Sequence, residues 1–259
     1  AKKNIIFFLI IIIFISILGY LLTGKLNQKN NRESSDNLLP IDITDIQIEI
    51  PGKIVFSNYK GANKTDLTNP HNNSDIYSID AKGSNKRNLT DNVGVNFFPI
   101  LNSSGDSVAF ISYSEGKAFL VTLDLEENKL NIIDEVFIED FDHTFDWNPD
   151  GDRLVFYSRD RSLFTINKDG SGSKQIYESS SYDIYPQWSP DGEMILLTEI
   201  LKDESNIGDY ITKHSIIDLE GNEIITFTNE LHSPIWSGSG NHIFFLSKSS
   251  YGELMMMNP

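Results

Sequence analysis

The sequence contains no cysteine. That absence excludes disulfides, thiolate metal sites, cysteine nucleophiles and the lipid-bearing cysteine of a bacterial lipoprotein. Positive charge is scarce, with 21 Lys and Arg against 37 Asp and Glu and a formal net charge of −16. A surface of that sign repels a phosphate backbone, so nucleic acid is not an expected partner. Common catalytic motifs are missing too: there is no G-x-S-x-G nucleophile elbow, no H-E-x-x-H and no G-x-x-x-x-G-K-[ST] phosphate loop. No catalytic residue, metal or cofactor is expected.

One long apolar run is present, at the start. After Lys2 and Lys3, residues 5–22 (IIFFLIIIIFISILGYLL) carry no charge. As a helix they span about 27 Å, close to the hydrocarbon thickness of a bilayer. The run exceeds the apolar core of a cleavable signal peptide, and no A-x-A-like site follows it. Residues 1–24 are therefore expected to form an uncleaved signal-anchor, a single transmembrane helix, with cleavage near Gly24 as the alternative. Lys25, Lys29 and Arg32 offset Lys2 and Lys3, which leaves the positive-inside count near a tie. Long following domains are translocated largely regardless of charge, so the rest of the chain is expected outside the cytoplasm, in the periplasm or at the cell exterior. Residues 25–40 are polar and rich in Asn, Ser and Lys, the composition of a flexible stalk.

The remainder repeats itself. A large apolar residue, a short polar turn ending in glycine and an alternating apolar run recur as Leu101-Asn-Ser-Ser-Gly105, Trp147-Asn-Pro-Asp-Gly151, Trp188-Ser-Pro-Asp-Gly192 and Trp236-Ser-Gly-Ser-Gly240. The glycines lie 46, 41 and 48 residues apart, and a degenerate copy begins at Gly52. A second landmark, ending at Gly83, Glu127, Gly170 and Gly221, keeps its own register at spacings of 44, 43 and 51. The runs Val108-Ala-Phe-Ile, Leu154-Val-Phe-Tyr and Ile243-Phe-Phe-Leu are β-branched and aromatic, which predicts strands. Pro-Asp-Gly presets one φ and supplies a residue free to take positive φ, which predicts tight turns. The second landmark is a second hairpin turn, and Asn167-Lys-Asp-Gly-Ser-Gly belongs to it rather than to a calcium loop. Further strands are expected at 174–177 and 223–227. Four short strands per repeat of about 40–45 residues describe a propeller blade.

These residues resemble the TolB-type, WD-like β-propeller repeat with its W-S-P-D-G turn, which residues 188–192 match in full. The resemblance runs from about residue 50 to the end. It implies an all-β propeller over residues 41–259, built of four-stranded blades and preceded by the transmembrane helix. Five blades are recognisable. The last stops at Met257-Asn258-Pro259 without a fourth strand, which suggests truncation at the C-terminus. The alternating residues 41–50 (IDITDIQIEI) are expected to be a strand that either opens blade one or completes the last blade. Trp147, Trp188 and Trp236 are expected to pack between blades, above turns set by Gly105, Gly151, Gly192 and Gly240.

A candidate binding surface follows from register. His143 and His232 both lie four residues before the blade tryptophan, Asp142 and Asp183 occupy the position before that, and Tyr182 and Tyr185 are close by. These residues mark the starts of the innermost strands, at one mouth of the channel, where a protein or peptide could be held. Hydrogen bonding within the propeller is the alternative role for each of them. Residues 61–74 and 200–209 are expected to be long surface loops. The expected function is a non-catalytic, membrane-anchored scaffold that binds a partner in the cell envelope. The alternatives are the substrate-gating propeller of a serine oligopeptidase, whose hydrolase domain would lie outside this chain, and a sensory ectodomain.

Overall fold

A computed structural model describes residues 52–60, 73–91, 94–136, 144–181, 183–202, 210–228, 231–247 and 253–259. Every regular element among them is a β-strand. The expected transmembrane helix, the stalk and the strand at 41–50 lie outside the described residues, and no helix among the described residues is long and apolar enough to cross a membrane.

The strands form four sheets. The first holds β1 (Lys53–Lys60), β2 (Asn73–Asp80), β3 (Arg87–Asn88), β4 (Val95–Leu101), β5 (Ser107–Ser114), β6 (Lys117–Asp124) and β7 (Lys129–Val136). The second is β8 (Phe145–Trp147), β9 (Arg153–Tyr157), β10 (Ser162–Asn167) and β11 (Lys174–Glu178). The third is β12 (Asp183–Trp188), β13 (Met194–Lys202), β14 (Tyr210–Asp218) and β15 (Glu223–Thr228), and the fourth is β16 (Leu231–Trp236), β17 (Ile243–Ser247) and β18 (Leu254–Met257). In the last three sheets each strand pairs antiparallel with its neighbour in sequence. The first sheet departs from that regularity. A single parallel bridge, Ser74 to Val95, joins β2 to β4 and fuses two repeats into one seven-stranded sheet.

The repeated turn has one geometry in four copies. Gly105, Gly151, Gly192 and Gly240 each donate N–H to the carbonyl three residues earlier, on Asn102, Asn148, Ser189 and Ser237. The side chain of that residue then closes the turn from inside: Asn148 Oδ1 accepts from the N–H groups of Asp152 and Arg153, and Ser189 Oγ accepts from Met194 N–H. The second landmark forms the expected hairpin turn, with Gly83, Gly170 and Gly221 bonded to the carbonyls of Asp80, Asn167 and Asp218. Gly221 cannot be replaced without movement, because a Cβ there would overlap the Ile176 carbonyl of the second sheet, and its φ is +88°.

Alternation decides how the sheets stack. In β9, Leu154 and Phe156 face the first sheet in a cluster with Phe97, Ile111, Leu120 and Trp147. Val155 and Tyr157 face the other way, onto Ile184, Ile195 and Leu197 of the third sheet. Leu196 and Ile216 in turn face Ile243 and Phe245 of the fourth. A period of two therefore gives each middle strand two apolar faces, and each middle sheet is covered by its predecessor and its successor. That succession is the packing of blades, not of a two-layer sandwich.

β4, β8, β12 and β16, the first strands of the four repeats that carry the turns at Gly105, Gly151, Gly192 and Gly240, are tied directly. Trp147 Nε1 donates to the Ile100 carbonyl at 3.0 Å, Trp188 N–H donates to Asp146 Oδ2 at 2.9 Å, and Gln187 Nε2 donates to the Pro234 carbonyl at 3.0 Å. Trp147, Trp188 and Trp236 pack in the apolar clusters between sheets, but their indoles are not equivalent. The Nε1 atoms of Trp188 and Trp236 are buried with no partner among the described residues. Trp147→Phe is therefore expected to cost about 1 kcal/mol more than Trp188→Phe, the net worth of one hydrogen bond at similar loss of apolar area. Urea midpoints of the two variants check this.

Residues 200–202 are not loop. β13 and β14 are nine residues each and pair as far as Lys202 with Tyr210, which confines the connection to residues 203–209.

Candidate functional site

The first strands and the connectors that lead into them form the candidate site. Of the residues expected there, Asp142, His143 and Tyr182 lie outside the described residues. Asp183 opens β12, its backbone opposite Ile200, and Tyr185 stands opposite Thr198 in the same pair of strands. His232 lies in β16 opposite Leu246, immediately before a break in register.

That break has a counterpart. Ser233 and Phe98 both adopt left-handed φ, +50° and +54°, each just before a proline, and both sit at register shifts in first strands. Non-glycine residues rarely adopt that conformation, so β4 and β16 each carry local backbone strain. In β12, Tyr185-Pro186 occupies the matching place in unbroken register.

Two carboxylates, the half-buried Asp146 and the buried Glu199, neither foreseen from the sequence, hold this region in shape. The first is Asp146. Its Oδ1 accepts from Trp147 N–H and its Oδ2 from Trp188 N–H, both at 2.9 Å, so one side chain ties β8 to β12. Burial outweighs the two N–H bonds and raises its pKa to about 7.

The second is Glu199, only 2 % exposed. On β13 it shares a face with Ile195 and Leu197 and stands opposite Lys213. Glu199 Oε1 accepts from Ser179 Oγ at 2.6 Å and Ser181 Oγ at 2.8 Å. Its Oε2 lies 3.3 Å from Lys213 Nζ and 3.4 Å from the Tyr177 hydroxyl. Lys213 also pairs with Glu223, which accepts from Tyr177 as well. Burial, the Glu199 charge and the bond to Glu223 push the Tyr177 hydroxyl up to about 12. Burial works against the Lys213 ammonium, but Glu223 and Glu199 together hold its pKa above the usual lysine range. Ser179 and Ser181 lie between β11 and β12, so Glu199 holds these two residues shortly before β12 begins. The alternation Ile195, Leu197, Glu199 could have revealed a carboxylate on an apolar face, but its partners lie on other strands.

Behind Tyr185, His214 is 1 % exposed, with Nδ1 3.0 Å from Thr198 Oγ1 and its ring 5.8 Å from that of Phe227. Among the described residues, no three His, Asp or Glu side chains are grouped to hold a metal ion.

Comparison with known proteins agrees with this geometry. The family model of the TolB beta propeller domain matches residues 62–237. The chain belongs to the TolB β-propeller family. A TolB homolog from Chlorobium luteolum is 24 % identical over 132 residues, which is 51 % of this chain and 30 % of that relative. This TolB-family chain thus matches less than a third of the relative's length. Among solved structures, the β-propeller domain of the Trilobed protease from Pyrococcus furiosus superposes with a TM-score of 0.57 at 14 % identity, over 80 % of this chain and 65 % of that one. A chain of the nidogen–laminin complex superposes with a TM-score of 0.52 at 11 % identity, over 80 % and 74 %. At these identities the likenesses establish the fold of the TolB-family chain and nothing more.

Proposed function

We propose that this chain is a membrane-anchored, extracytoplasmic propeller that holds a protein or peptide of the cell envelope at the mouth formed by its first strands, without catalysing a reaction. It would consist of five four-stranded blades, the last incomplete, on the stalk of residues 25–40 and the anchor of residues 1–24. The observation that carries the reading is the pinning of Ser179 and Ser181, shortly before β12, by the buried Glu199. A rigid mouth presents side chains without the entropic cost of ordering them on binding. Asp183, Tyr185 and His232, with Asp142, His143 and Tyr182, would form the contact surface, and the strained Phe98 and Ser233 backbones mark the same region.

A photo-crosslinking residue at position 185, in the protein inserted in membranes, is expected to capture one envelope protein, and the same residue at position 129 is expected to capture none. Tyr185→Ala should then weaken that partner's binding about tenfold, as loss of a central aromatic contact does. No adduct at position 185, or turnover of peptide substrates by the purified protein, would overturn the proposal. Similarity to a protease propeller favours a second reading, in which this chain gates substrates for a hydrolase domain encoded beyond residue 259. A downstream G-x-S-x-G in the gene decides for it.

A further inference from the structure

Cations are rare in this chain, yet several gather on the first sheet. A recess of about 480 Å3 is lined by Lys53, Ser78, Asp80, Asn85, Lys86, Arg87, Leu89 and Leu125. It adjoins a second recess of about 380 Å3, lined in part by Gly52 and Lys82, and the two share Lys53 and Asp80. The larger recess thus has three cationic side chains and one carboxylate on its walls. That carboxylate is engaged within its own turn: Asp80 Oδ2 accepts from Asn85 Nδ2 at 2.6 Å and Ser84 Oγ at 3.3 Å. Among the described residues, none of Lys53, Lys86 and Arg87 forms an ion pair.

The positions of these cations are set by the sheet. Phe56 and Tyr77 stack across β1 and β2 with centroids 5.8 Å apart, and Lys86 Nζ lies over both rings, 4.6 Å from Tyr77 and 5.4 Å from Phe56. An ammonium held over aromatic faces keeps its charge and loses little freedom when an anion arrives. Arg87 is fixed at the backbone by its pairing with Ser78. Leu89 and Leu125 are half-buried and give the recess an apolar floor.

We infer that this recess docks an acidic peptide segment of a protein partner, its carboxylates on Lys53, Lys86 and Arg87 and an apolar side chain on Leu89 and Leu125. Charge complementarity selects the occupant. The chain as a whole is strongly anionic and repels an acidic segment, whereas this recess sets three cationic side chains against one carboxylate and so favours one. A guanidinium beside ammonium groups suits carboxylates presented in series, and the apolar floor separates a peptide from a bare anion. The recess uses none of the mouth residues, so the inference stands whether or not the mouth binds anything.

The test uses the full chain in detergent or nanodiscs and a fluorescein-labelled peptide of alternating Glu and Leu, read by fluorescence anisotropy. Saturable binding is expected that weakens with added salt, with no binding of the Lys–Leu counterpart. Lys86→Gln combined with Arg87→Gln should weaken it about tenfold, whereas the charge-matched pair Lys129→Gln with Lys174→Gln, outside the recess, should leave it unchanged. An unchanged thermal midpoint shows that a variant is folded. If the double variant unfolds, Lys53→Gln, at the edge of the same recess, gives the same comparison. Equal binding of both peptides, or no effect of the recess substitutions, overturns the inference. So does capture of phosphatidylglycerol vesicles in place of the peptide, which would assign the recess to a membrane surface.

Discussion

Glu199→Ala is expected to lower stability by about 3 kcal/mol, read as the shift of the urea midpoint. The magnitude follows from what remains. The side chain is almost fully buried, and its removal leaves the Ser179 and Ser181 hydroxyls without the carboxylate that accepts from both. An unmet buried hydroxyl costs about 1–3 kcal/mol, and that cost falls on the buried Ser181, because the half-buried Ser179 can still donate to Ser181 Oγ. Lys213 keeps Glu223, so its ammonium is not stranded, and this limits the loss. Glu199→Gln retains an acceptor of the same shape and should cost clearly less. The contrast is Lys117→Ala: its partner is Glu135, its side chain is 53 % exposed, and the expected loss is below about 0.5 kcal/mol. Amide exchange supplies an independent readout. The Ser181 N–H, bonded to Ser179 Oγ, should exchange faster in Glu199→Ala while the amides of β9 do not.

The second large effect is a dependence on pH. Asp146 titrates near 7 in the folded chain and near 3.8 when unfolded. Between those values the folded chain holds one proton more, so this residue's contribution is fully present below about pH 4 and is lost as pH rises through 7. A shift of that size corresponds to at most about 4 kcal/mol, reduced by whatever water reaches a carboxylate that is not wholly enclosed. Asp134 adds to the same trend, because burial and the nearby Asp160 raise its pKa too. Asp106, Asp191 and Glu223 oppose it at the acid end. Hydrogen bonds from Asn102, Ser189 and Lys213 hold them below their usual range, and their contribution disappears as they are protonated. Thermal midpoints measured from pH 4.5 to 8 should fall in the native protein, and Asp146→Asn should flatten most of that slope. An equal slope in the variant would mean that another group is responsible.

The repeat was legible because its signals are local. Asn148-Pro-Asp-Gly151 and Ser189-Pro-Asp-Gly192 hold within five residues all that their turns require, and the strands after them needed only composition and alternation. The recurrence of one bulky residue at one register, at Trp147, Trp188 and Trp236, is a local signal of the same kind. Other features depend on partners far along the chain. Asp146 matters because Trp188 lies 42 residues later, and Glu199 because two serines precede it in another connector and Lys213 follows on another strand. The shifts at Phe98 and Ser233 carried a faint signal, since each precedes a proline, but Tyr185 does as well and its strand is regular. The Ser74–Val95 bridge left no trace in the sequence.

Each of the second and third sheets is completed by one unbroken stretch, residues 145–178 and 183–228. Such near-neighbour pairing favours rapid folding and suits assembly during synthesis. A chain delivered from its N-terminal side can finish one sheet before the next arrives, and each finished sheet then offers an apolar face on which its successor forms.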